Sequence, residues 1–258
     1  MILDDIMNRK RTELAARPAN AVSEARAAAL DAGPVRGFRN ALESAGKRPA
    51  LIAEIKRRSP SRREEWPGID PARFAAQYEE CGATALSVLT DKLDFGGGAE
   101  DLVAARAACS LPVLRKDFTV GELDVYEARA IGADAVLLIV RGLDDAELQG
   151  FRELAESLGL DCLVEIHDRE ELDRALGIGA TIIGVNNRDL ASFQTTLTPS
   201  LELLPLVPNG VMRVSESALH SHEDVKSVQD SGAHAVLIGT AFCSSADPAA
   251  KVREVMGW

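Results

Sequence analysis

The segment GADAVLLIVRGLDDAELQGFRELAESLGLDCLVEI, residues 132–166, decides the fold because it places one helix pattern between two strand patterns. Residues 135–140 (AVLLIV) and 162–166 (CLVEI) are apolar and do not alternate with polar residues, which is typical of parallel strands buried on both faces. Apolar residues between the two runs recur at the spacing of one helical face, at Leu148, Phe151, Leu154 and Leu158. The segment therefore predicts a strand–helix–strand unit.

The same alternation extends over most of the chain. Eight apolar runs with strand character occur at 50–55, 84–89, 112–116, 135–140, 162–166, 181–186, 211–215 and 235–239. Strict alternation of eight strands and helices predicts an α/β fold with a right-handed parallel (β/α)8 TIM barrel. An open doubly wound sheet is the competing architecture, but it would favour a GxGxxG motif after an early strand, and the sequence has none.

Local signals place the ends of the helices. Asp70-Pro71, Asp247-Pro248 and Asp144-Asp145 each offer an N-cap at a predicted helix start. Gly-Ala pairs just before four strands are typical helix ends, at 82–83, 132–133, 179–180 and 232–233.

A helical pattern precedes the first strand. Residues 1–16 carry apolar side chains near one face, at Ile2, Ile6 and Leu14, and residues 20–31 are rich in Ala. No Gly/Ser-rich or Pro-rich linker separates this part from the barrel. We therefore expect residues 1–258 to form a single domain, with residues 1–45 as a helical extension packed outside the barrel.

Charge and composition exclude several classes of partner. The formal net charge of −11 argues against nucleic acid and against anionic membrane surfaces. No stretch approaches the ~20 apolar residues of a membrane span, and the N-terminus lacks the apolar block of a signal peptide. We expect a cytoplasmic protein whose partner is a small molecule.

No metal site is predicted. The four cysteines are far apart and read as reduced, mostly buried thiols: Cys81, Cys109, Cys162 and Cys243. His220 and His222 lie at a predicted helix start without a carboxylate at ligand spacing.

Charged residues end several of the apolar strands. Glu54 and Lys56 lie at the end of the first predicted strand, and Lys116 ends the third. Glu165 lies in the fifth predicted strand, and Glu216 directly follows the seventh. Chemistry in this fold occurs at the C-terminal ends of the strands, and Lys and Glu are rarely buried unless paired. Structural ion pairs at the rim are the alternative, but five such groups together favour a site for proton transfer.

A phosphate site is indicated near the last two strands. Ser217 and the pair Gly239-Thr240 precede predicted helices, where barrels commonly bind phosphate through backbone N–H groups. Arg188 and Lys56 could add positive charge. Plain turns and helix caps are the alternative interpretation of these residues.

A basic run follows the first strand, at Lys56, Arg57, Arg58, Arg62 and Arg63. Glu64 and Glu65 come directly after it, and the whole protein is acidic. We interpret the run as part of an anion-binding mouth or as a solvated lid, not as a nucleic-acid site.

Taken together, these motifs resemble the indole-3-glycerol-phosphate synthase family. The resemblance extends in order over nearly the whole chain, through ILDDIMNRKRTELAAR, LIAEIKRRSPS, ALSVLTDKLDFGGGAEDL, PVLRKDF, VYEARAIGADAVLLI, LVEIHDREEL, IIGVNNRDLASF, VSES and AVLIGTAF. It implies a lyase of tryptophan biosynthesis that needs no cofactor and no metal. The family closes and decarboxylates 1-(2-carboxyphenylamino)-1-deoxyribulose 5-phosphate and eliminates water, giving indole-3-glycerol phosphate. We also expect a monomer.

The resemblance implies roles for individual residues. Lys116 would be the general acid on the substrate carbonyl oxygen, and Lys56 would lie near the substrate carboxylate and the leaving hydroxyl. Glu165 would be the acid/base of the dehydration. Three residues would orient the lysines and the substrate hydroxyls: Glu54, Asn186 and Glu216.

Two further sets match substrate-binding positions. Phosphate-loop positions are matched by Ser59, Arg188, Ser217, Gly239 and Thr240. The apolar wall around the anthranilate ring is matched by Phe95, Phe118, Leu137 and Leu190.

Two departures from the family pattern concern the phosphate end. The family usually has Gly after the Glu-Ser of the seventh strand, where this chain has Ala218, and its first loop runs SPSKG where this chain has SPSRREEW. Neither removes a catalytic group. A specialised paralogue, another phosphate-binding barrel such as phosphoribosylanthranilate isomerase, and a non-catalytic barrel stay open as alternatives.

Overall fold

A computed structural model describes residues 2–46, 48–59, 64–66, 68–189 and 194–258, although the side chains of Ile2, Ser59 and Glu64 lie outside the description. Eight parallel strands close into one barrel. They are β1 (Ala50–Ile55), β2 (Ala85–Leu89), β3 (Val113–Lys116), β4 (Ala135–Ile139), β5 (Asp161–Ile166), β6 (Ile182–Asn186), β7 (Met212–Glu216) and β8 (Ala235–Ile238). The predicted (β/α)8 barrel is confirmed, and every predicted strand boundary lies within one residue of the observed one.

Each strand pairs with its chain neighbours, and β1 closes the ring by pairing with both β2 and β8. Along β1, Ile52 is opposite Ala85 on one side and Leu237 on the other. This in-order parallel pairing brings all carboxyl ends to one mouth. A separate pair of short antiparallel strands, Arg58–Ser59 and Glu64–Glu65, follows β1.

Helices surround the barrel. They are α1 (Ile2–Ala15), α2 (Ala21–Asp31), α3 (Phe38–Glu43), α4 (Pro71–Glu80), α5 (Lys92–Phe95), α6 (Ala99–Ala108), α7 (Glu122–Ala130), α8 (Asp145–Ser157), α9 (Arg169–Gly177), α10 (Thr198–Leu203), α11 (His222–Asp230), α12 (Thr240–Cys243) and α13 (Pro248–Met256). Two short 3₁₀ helices span Val140–Gly142 and Leu204–Leu206. None of the helices among the described residues has the length and apolar character to cross a membrane.

The predicted helix signals have physical counterparts. Asp70, Asp144 and Asp247 each accept backbone N–H bonds at the start of α4, α8 and α13. The glycines of the four Gly-Ala pairs all have positive φ, at Gly82, Gly132, Gly179 and Gly232. On α8, Leu148 is fully buried, whereas the other apolar residues of that face are partly buried.

The N-terminal extension holds both ends of the barrel. α1 lies across the C-terminal mouth, α2 packs against α7, and α3 carries the fully buried Phe38 and Leu42. The buried face of α1 differs from the prediction, because Leu3 and Met7 flank Ile6 in the core while Leu14 is only partly buried. A helix crossing a mouth buries its near end more than its far end, which periodicity alone does not show.

Asp134, which is fully buried, ties the extension to the opposite end of the barrel. Its carboxylate accepts from the backbone N–H of Arg36 at 2.7 Å and of Val113 at 2.8 Å, and it pairs with Arg106. Arg36 in turn donates to the carbonyls of Cys109 and Leu111. The N-terminal mouth is therefore held by buried polar contacts among the extension, α6 and β3.

Candidate active site

A cavity opens at the C-terminal mouth of the barrel. Its lining includes most residues that the sequence predicts for the site: Glu54, Lys56, Phe95, Lys116, Phe118, Leu137, Glu165, Asn186, Arg188, Glu216, Ser217, Gly239 and Thr240. Leu190 and the side chain of Ser59 lie outside the described residues. The convergence follows from the fold, because parallel strands in one barrel place their carboxyl ends around one opening.

Lys116 lies at the centre of the charged part of this cavity. Its Nζ is 2.6 Å from Glu165 Oε2 and 2.9 Å from Glu216 Oε2, across the barrel from β3. Both glutamates are buried. Asn186 contributes a side-chain hydrogen bond to Glu165 and accepts the backbone N–H of Arg188 at 3.1 Å. The lysine is thus held by two carboxylates at the end of β3.

The second lysine has its own partner. Lys56 Nζ lies 2.7 Å from Glu54 Oε1, as expected for residues on the same side of β1. Both side chains are about nine-tenths buried or more. This pair and the Lys116 cluster line the same cavity.

The carboxylates around Lys116 have divergent pKa values. Burial acts to lower the pKa of Lys116, but the negative charges of Glu165, Glu216 and Glu54 outweigh it and raise that pKa above its usual value. Burial also opposes ionisation of Glu165, yet Lys116 and His167 lower its pKa to about 2. For Glu216, burial and the charge of Glu165 raise the pKa to about 7 despite Lys116. Two carboxyls beside one lysine therefore favour opposite protonation states.

Two glycines give these glutamates room. A Cβ at position 184, in the middle of β6, would overlap Oε1 of Glu216, and a Cβ at Gly239 would overlap the side chain of Glu54. Gly184 is not among the residues that the sequence predicts for the site, although a glycine inside a strand signals a close approach. Gly239 was assigned to phosphate, and its contact with Glu54 is an additional reason for a glycine there.

One wall of the cavity is aromatic and aliphatic. The rings of Phe95 and Phe118 lie 6.2 Å apart at an interplanar angle of 38°, and Leu137 lines the cavity beside them. From α1, Leu3 and Ile6 also line it. The sequence predicts that α1 packs outside the barrel but does not link it to the site, because only the tertiary contact reveals that link.

The turn after β7 is strained. Ser217 has φ of 65° and Ala218 has φ of 60°, both in the left-handed region. Asn187, which follows β6, stabilises this turn. Its Nδ2 donates to Ser215 Oγ at 3.0 Å and to the Ser217 carbonyl at 3.3 Å. Ala218 therefore occupies a conformation that favours glycine.

The basic run divides between different environments. Arg57 pairs with Asp101 at 2.7 Å, and Arg58 donates to backbone carbonyls of α5. Neither lines the cavity, so of the run only Lys56 reaches it among the described residues. Arg62 and Arg63 lie outside the described residues. Of the two predicted roles of the run, an anion-binding mouth or a solvated lid, the structure does not support the first for Arg57 and Arg58, because carboxylate and carbonyl partners on α5 and α6 hold them.

The cysteines are free, and none is among the residues that line the cavity. In the part of the chain that the structure describes, no three His, Cys, Asp or Glu side chains cluster in a way that could hold a metal ion.

Similar folds occur among solved structures. A structure of the tryptophan synthase complex of Pyrococcus furiosus aligns with a TM-score of 0.62 at 17% identity, over 82% of this chain and 99% of that one. An N-acetylmannosamine-6-phosphate 2-epimerase from Clostridium perfringens aligns with a TM-score of 0.61 at 16% identity, over 78% and 89%. At such low identity these likenesses show the barrel fold alone.

Sequence relatives are much closer. The chain is 47% identical over 254 residues to the indole-3-glycerol phosphate synthase of Laribacter hongkongensis, covering 96% of both chains. It is also 47% identical over 247 residues to that of Chlorobium luteolum, covering 94% of this chain and 93% of the relative. A family model described as indole-3-glycerol phosphate synthase matches residues 3–255. Because the match covers the barrel, the charged cavity and α1, the chain belongs to the indole-3-glycerol phosphate synthase family.

Proposed function

We propose that this chain converts 1-(2-carboxyphenylamino)-1-deoxyribulose 5-phosphate into indole-3-glycerol phosphate, with release of carbon dioxide and water. The observation that carries the proposal is Lys116, held between Glu165 and Glu216 in a cavity that also contains the Lys56–Glu54 pair. An apolar wall and a tight turn flank this charged centre. The substrate has the matching parts: an aromatic acid, a carbonyl group and a phosphate.

Ring closure needs a proton donor at the carbonyl oxygen, since the aromatic ring carbon attacks the carbonyl carbon. Lys116 is cationic in its carboxylate surroundings and would stabilise the negative charge that develops on this oxygen. Glu216, with its pKa raised to about 7, can hold a proton beside it. In this proposal Lys116 donates the proton, while Glu165 and Glu216 hold its Nζ in place.

Loss of carbon dioxide follows once the ring has closed. Lys56 would face the substrate carboxylate, because its charge lies in the same cavity, and Glu54 at 2.7 Å would hold its ammonium group. Loss of the hydroxyl group as water is assigned to Glu165. This residue lies on β5 and contacts Lys116 Nζ at 2.6 Å. Asn186 would orient Glu165 and a substrate hydroxyl.

The two ends of the substrate would bind at opposite sides of the charged centre. The anthranilate ring would lie against Phe95, Phe118 and Leu137, which form the apolar wall. The phosphate would lie at the turns after β7 and β8, near Ser217, Gly239, Thr240 and Arg188, with Ser59 and Leu190 as further contacts predicted from the family pattern. Clamping both ends would bring the ring carbon close to the carbonyl carbon.

We also propose that the protein acts as a monomer in the cytoplasm. The charged groups that the proposed chemistry uses already pair with one another inside a single barrel, which supports this proposal. A phosphorylated substrate does not cross membranes unaided, which supports a compartment where such intermediates are made. Sedimentation of the purified protein at several concentrations tests the first point.

Product formation tests the proposed function. Purified protein is incubated with the anthranilate-derived substrate, and indole-3-glycerol phosphate is followed by its fluorescence. We expect fluorescent product with release of one carbon dioxide per turnover. A folded protein that binds the substrate but yields no product would support a non-catalytic barrel, and turnover only of a different phosphorylated compound would support a specialised paralogue.

A further inference from the structure

His167 directly follows β5, two residues beyond Glu165, and its side chain is only 6% exposed. Its Nδ1 lies 3.1 Å from Glu171 Oε2, and its backbone N–H donates to the same oxygen at 2.7 Å. Its Nε2 lies 3.7 Å from Glu165 Oε1. Among the described residues this buried Nε2 has no hydrogen-bond partner. The imidazole thus lies between two carboxylates, one of which is in the cavity.

An arginine pairs with the carboxylate on the Nδ1 side. Arg141 Nε lies 2.5 Å from Glu171 Oε1, and the Arg141 guanidinium also pairs with Asp168 at 2.9 Å. An ionised carboxylate only accepts hydrogen bonds, so Nδ1 must carry a hydrogen. The tautomer of His167 is therefore set by α9 and by the 3₁₀ helix after β4.

Two protonation states would make the 3.7 Å approach of Nε2 to Glu165 Oε1 favourable, and either would form a hydrogen bond once the two atoms move closer. In one, the imidazole is protonated, and Nε2–H faces an ionised Glu165. In the other, the imidazole is neutral, and a protonated Glu165 donates from Oε1 to the Nε2 lone pair. A neutral imidazole beside an ionised Glu165 would place a buried lone pair against a carboxylate oxygen, which is unfavourable. The two favourable states differ only in the position of one proton.

We propose that His167 is a positioning residue that shares a proton with Glu165 and stores the proton used in the dehydration. This inference rests on the proposed function. The proton moves from Nε2 to Oε1, and Glu165 passes it to the leaving hydroxyl as the C–O bond breaks and its electron pair goes to the oxygen. When the ring then loses its C–H proton to form the double bond, Glu165 accepts that proton and returns it to Nε2. No external reactant is needed, and the imidazolium is restored.

The neighbouring charges fit this role. Lys116 from β3 and His167 itself favour the ionised form of Glu165, while the charges of Glu165 and of Glu216 from β7 oppose each other. Asn186 from β6 donates to Glu165. On the other side, Glu171 contacts Nδ1 at 3.1 Å, and Arg141 and Asp168 complete the set of charged groups around the imidazole. The proton thus lies between two carboxylates of different environment.

The decisive experiment compares His167→Gln with His234→Gln. Gln can hold a hydrogen bond to either carboxylate but cannot carry the proton. His234 is a matched control, because its Nδ1 accepts the Arg213 backbone N–H at 3.2 Å at the opposite mouth of the barrel. The rate of the dehydration step is measured in single turnovers between pH 5.5 and 9.

For His167→Gln we expect the dehydration rate to fall by about tenfold at pH 7.5, and its alkaline limb to move to lower pH by about one unit, because the stored proton is gone. Ring closure and substrate affinity should change less than about twofold. Glu171→Gln should move the alkaline limb in the same direction, since it removes the charge that stabilises the imidazolium. His234→Gln should leave the pH profile unchanged.

A second readout does not depend on turnover. The carbon-bound imidazole protons of the four histidines are followed by NMR in the wild-type protein and in Glu165→Gln. The titration midpoint of His167 should fall in the variant, because the facing carboxylate has lost its charge. An unchanged midpoint, or an unchanged pH profile in a folded His167→Gln protein, overturns the inference. If the wild type makes no indole product, the proposed function fails instead, whereas a midpoint that still falls shows that the proton is shared.

Discussion

At the scale of single residues, the candidate site places five charged groups in one cavity, three of them carboxylates: Glu54, Lys56, Lys116, Glu165 and Glu216. With more carboxylates than lysines, the charges cannot all be paired when every group is ionised. The raised pKa of Glu216 is the consequence, since burial and Glu165 both disfavour its charge. Each substitution in this set therefore changes the protonation of the others.

Lys116→Met is expected to remove most of the ring-closure activity. Met has nearly the same length as Lys but no proton to donate, so the rate should fall by about 10²–10⁴-fold, the usual contribution of general acid catalysis. Substrate affinity and the fold should be largely retained. Steady-state kcat and substrate binding by fluorescence titration check this. Near wild-type kcat in the variant would rule out the assignment.

Glu165→Gln is expected to separate the two halves of the reaction. If Glu165 is the acid/base of the dehydration, water loss should slow more than ring closure does. Carbon dioxide release measured against indole formation in a single turnover resolves the two steps. Equal slowing of both steps would mean that Glu165 only holds Lys116 and the substrate in place.

Ala218→Gly is expected to relieve strain in the turn after β7. The φ of 60° at this residue costs Ala about 1–2 kcal/mol relative to Gly, partly offset by the greater flexibility of Gly in the unfolded chain. The variant should be at least as stable, and its KM should be lower because the turn can approach the phosphate more closely. Urea unfolding and KM measurements test both. A higher KM in the variant would show that the Cβ of Ala218 does not hinder phosphate binding.

At the scale of elements, α1 connects the extension to the cavity. Arg9 pairs with Asp91 and Asp94, at 2.7 and 2.6 Å, and Lys10 pairs with Asp117 at 2.9 Å. Asp117 lies directly between the lysine at the end of β3 and a phenylalanine of the apolar wall. α1 therefore stabilises the loop after β3 through the ion pair between Lys10 and Asp117.

Lys10→Met is expected to affect substrate binding more than the chemical step. It leaves the buried Asp117 carboxylate with Arg115 and Thr90 as partners, at a cost of about 1–3 kcal/mol in stability. KM should rise several-fold with kcat changed less. Arg17→Met is the matched control, because Arg17 pairs with Glu127 of α7 and neither residue lines the cavity. Equal effects of the two variants would contradict a specific role of Lys10.

At the scale of the whole molecule, one mouth of the barrel contains the candidate site and the other contains buried contacts that stabilise the fold. The C-terminal mouth contains the cavity, whereas the N-terminal mouth is held by Asp134 and its partners. That residues 1–258 make one domain stays a prediction, which limited proteolysis between α3 and β1 can test. We therefore expect substitutions at the N-terminal mouth to change stability and substitutions at the C-terminal mouth to change activity.

Asp134→Ala is expected to lower stability without changing the chemistry. It leaves Arg106 and two backbone N–H groups without their buried acceptor, which should cost about 3–5 kcal/mol. In the control Asp145→Ala, the exposed pair with Arg174 is lost, at a cost below about 1 kcal/mol. Urea unfolding gives both values, and kcat/KM of the folded Asp134→Ala protein should remain near that of the wild type. A large loss of kcat/KM at full folding would show that the two mouths are coupled.

The amino-acid sequence by itself determined the order and limits of the strands. Buried parallel strands, Asp-Pro helix starts and Gly-Ala helix ends are local patterns, so each strand could be placed to within one residue. It also indicated the charged site, because the fold brings every strand end to one mouth. The position of α1 over the cavity did not follow, since amphipathic periodicity identifies a buried face but not the surface that covers it.

Only the tertiary structure decided which charges meet. Lys116 contacts glutamates 49 and 100 positions away along the chain. These contacts depend on closure of the barrel and on the directions of the side chains. It also decided that Gly184 makes room for Glu216, and that His167 lies between two carboxylates. Local sequence determines backbone pattern, whereas pairing across the barrel, and with it the pKa values of the site, depends on distances between distant strands.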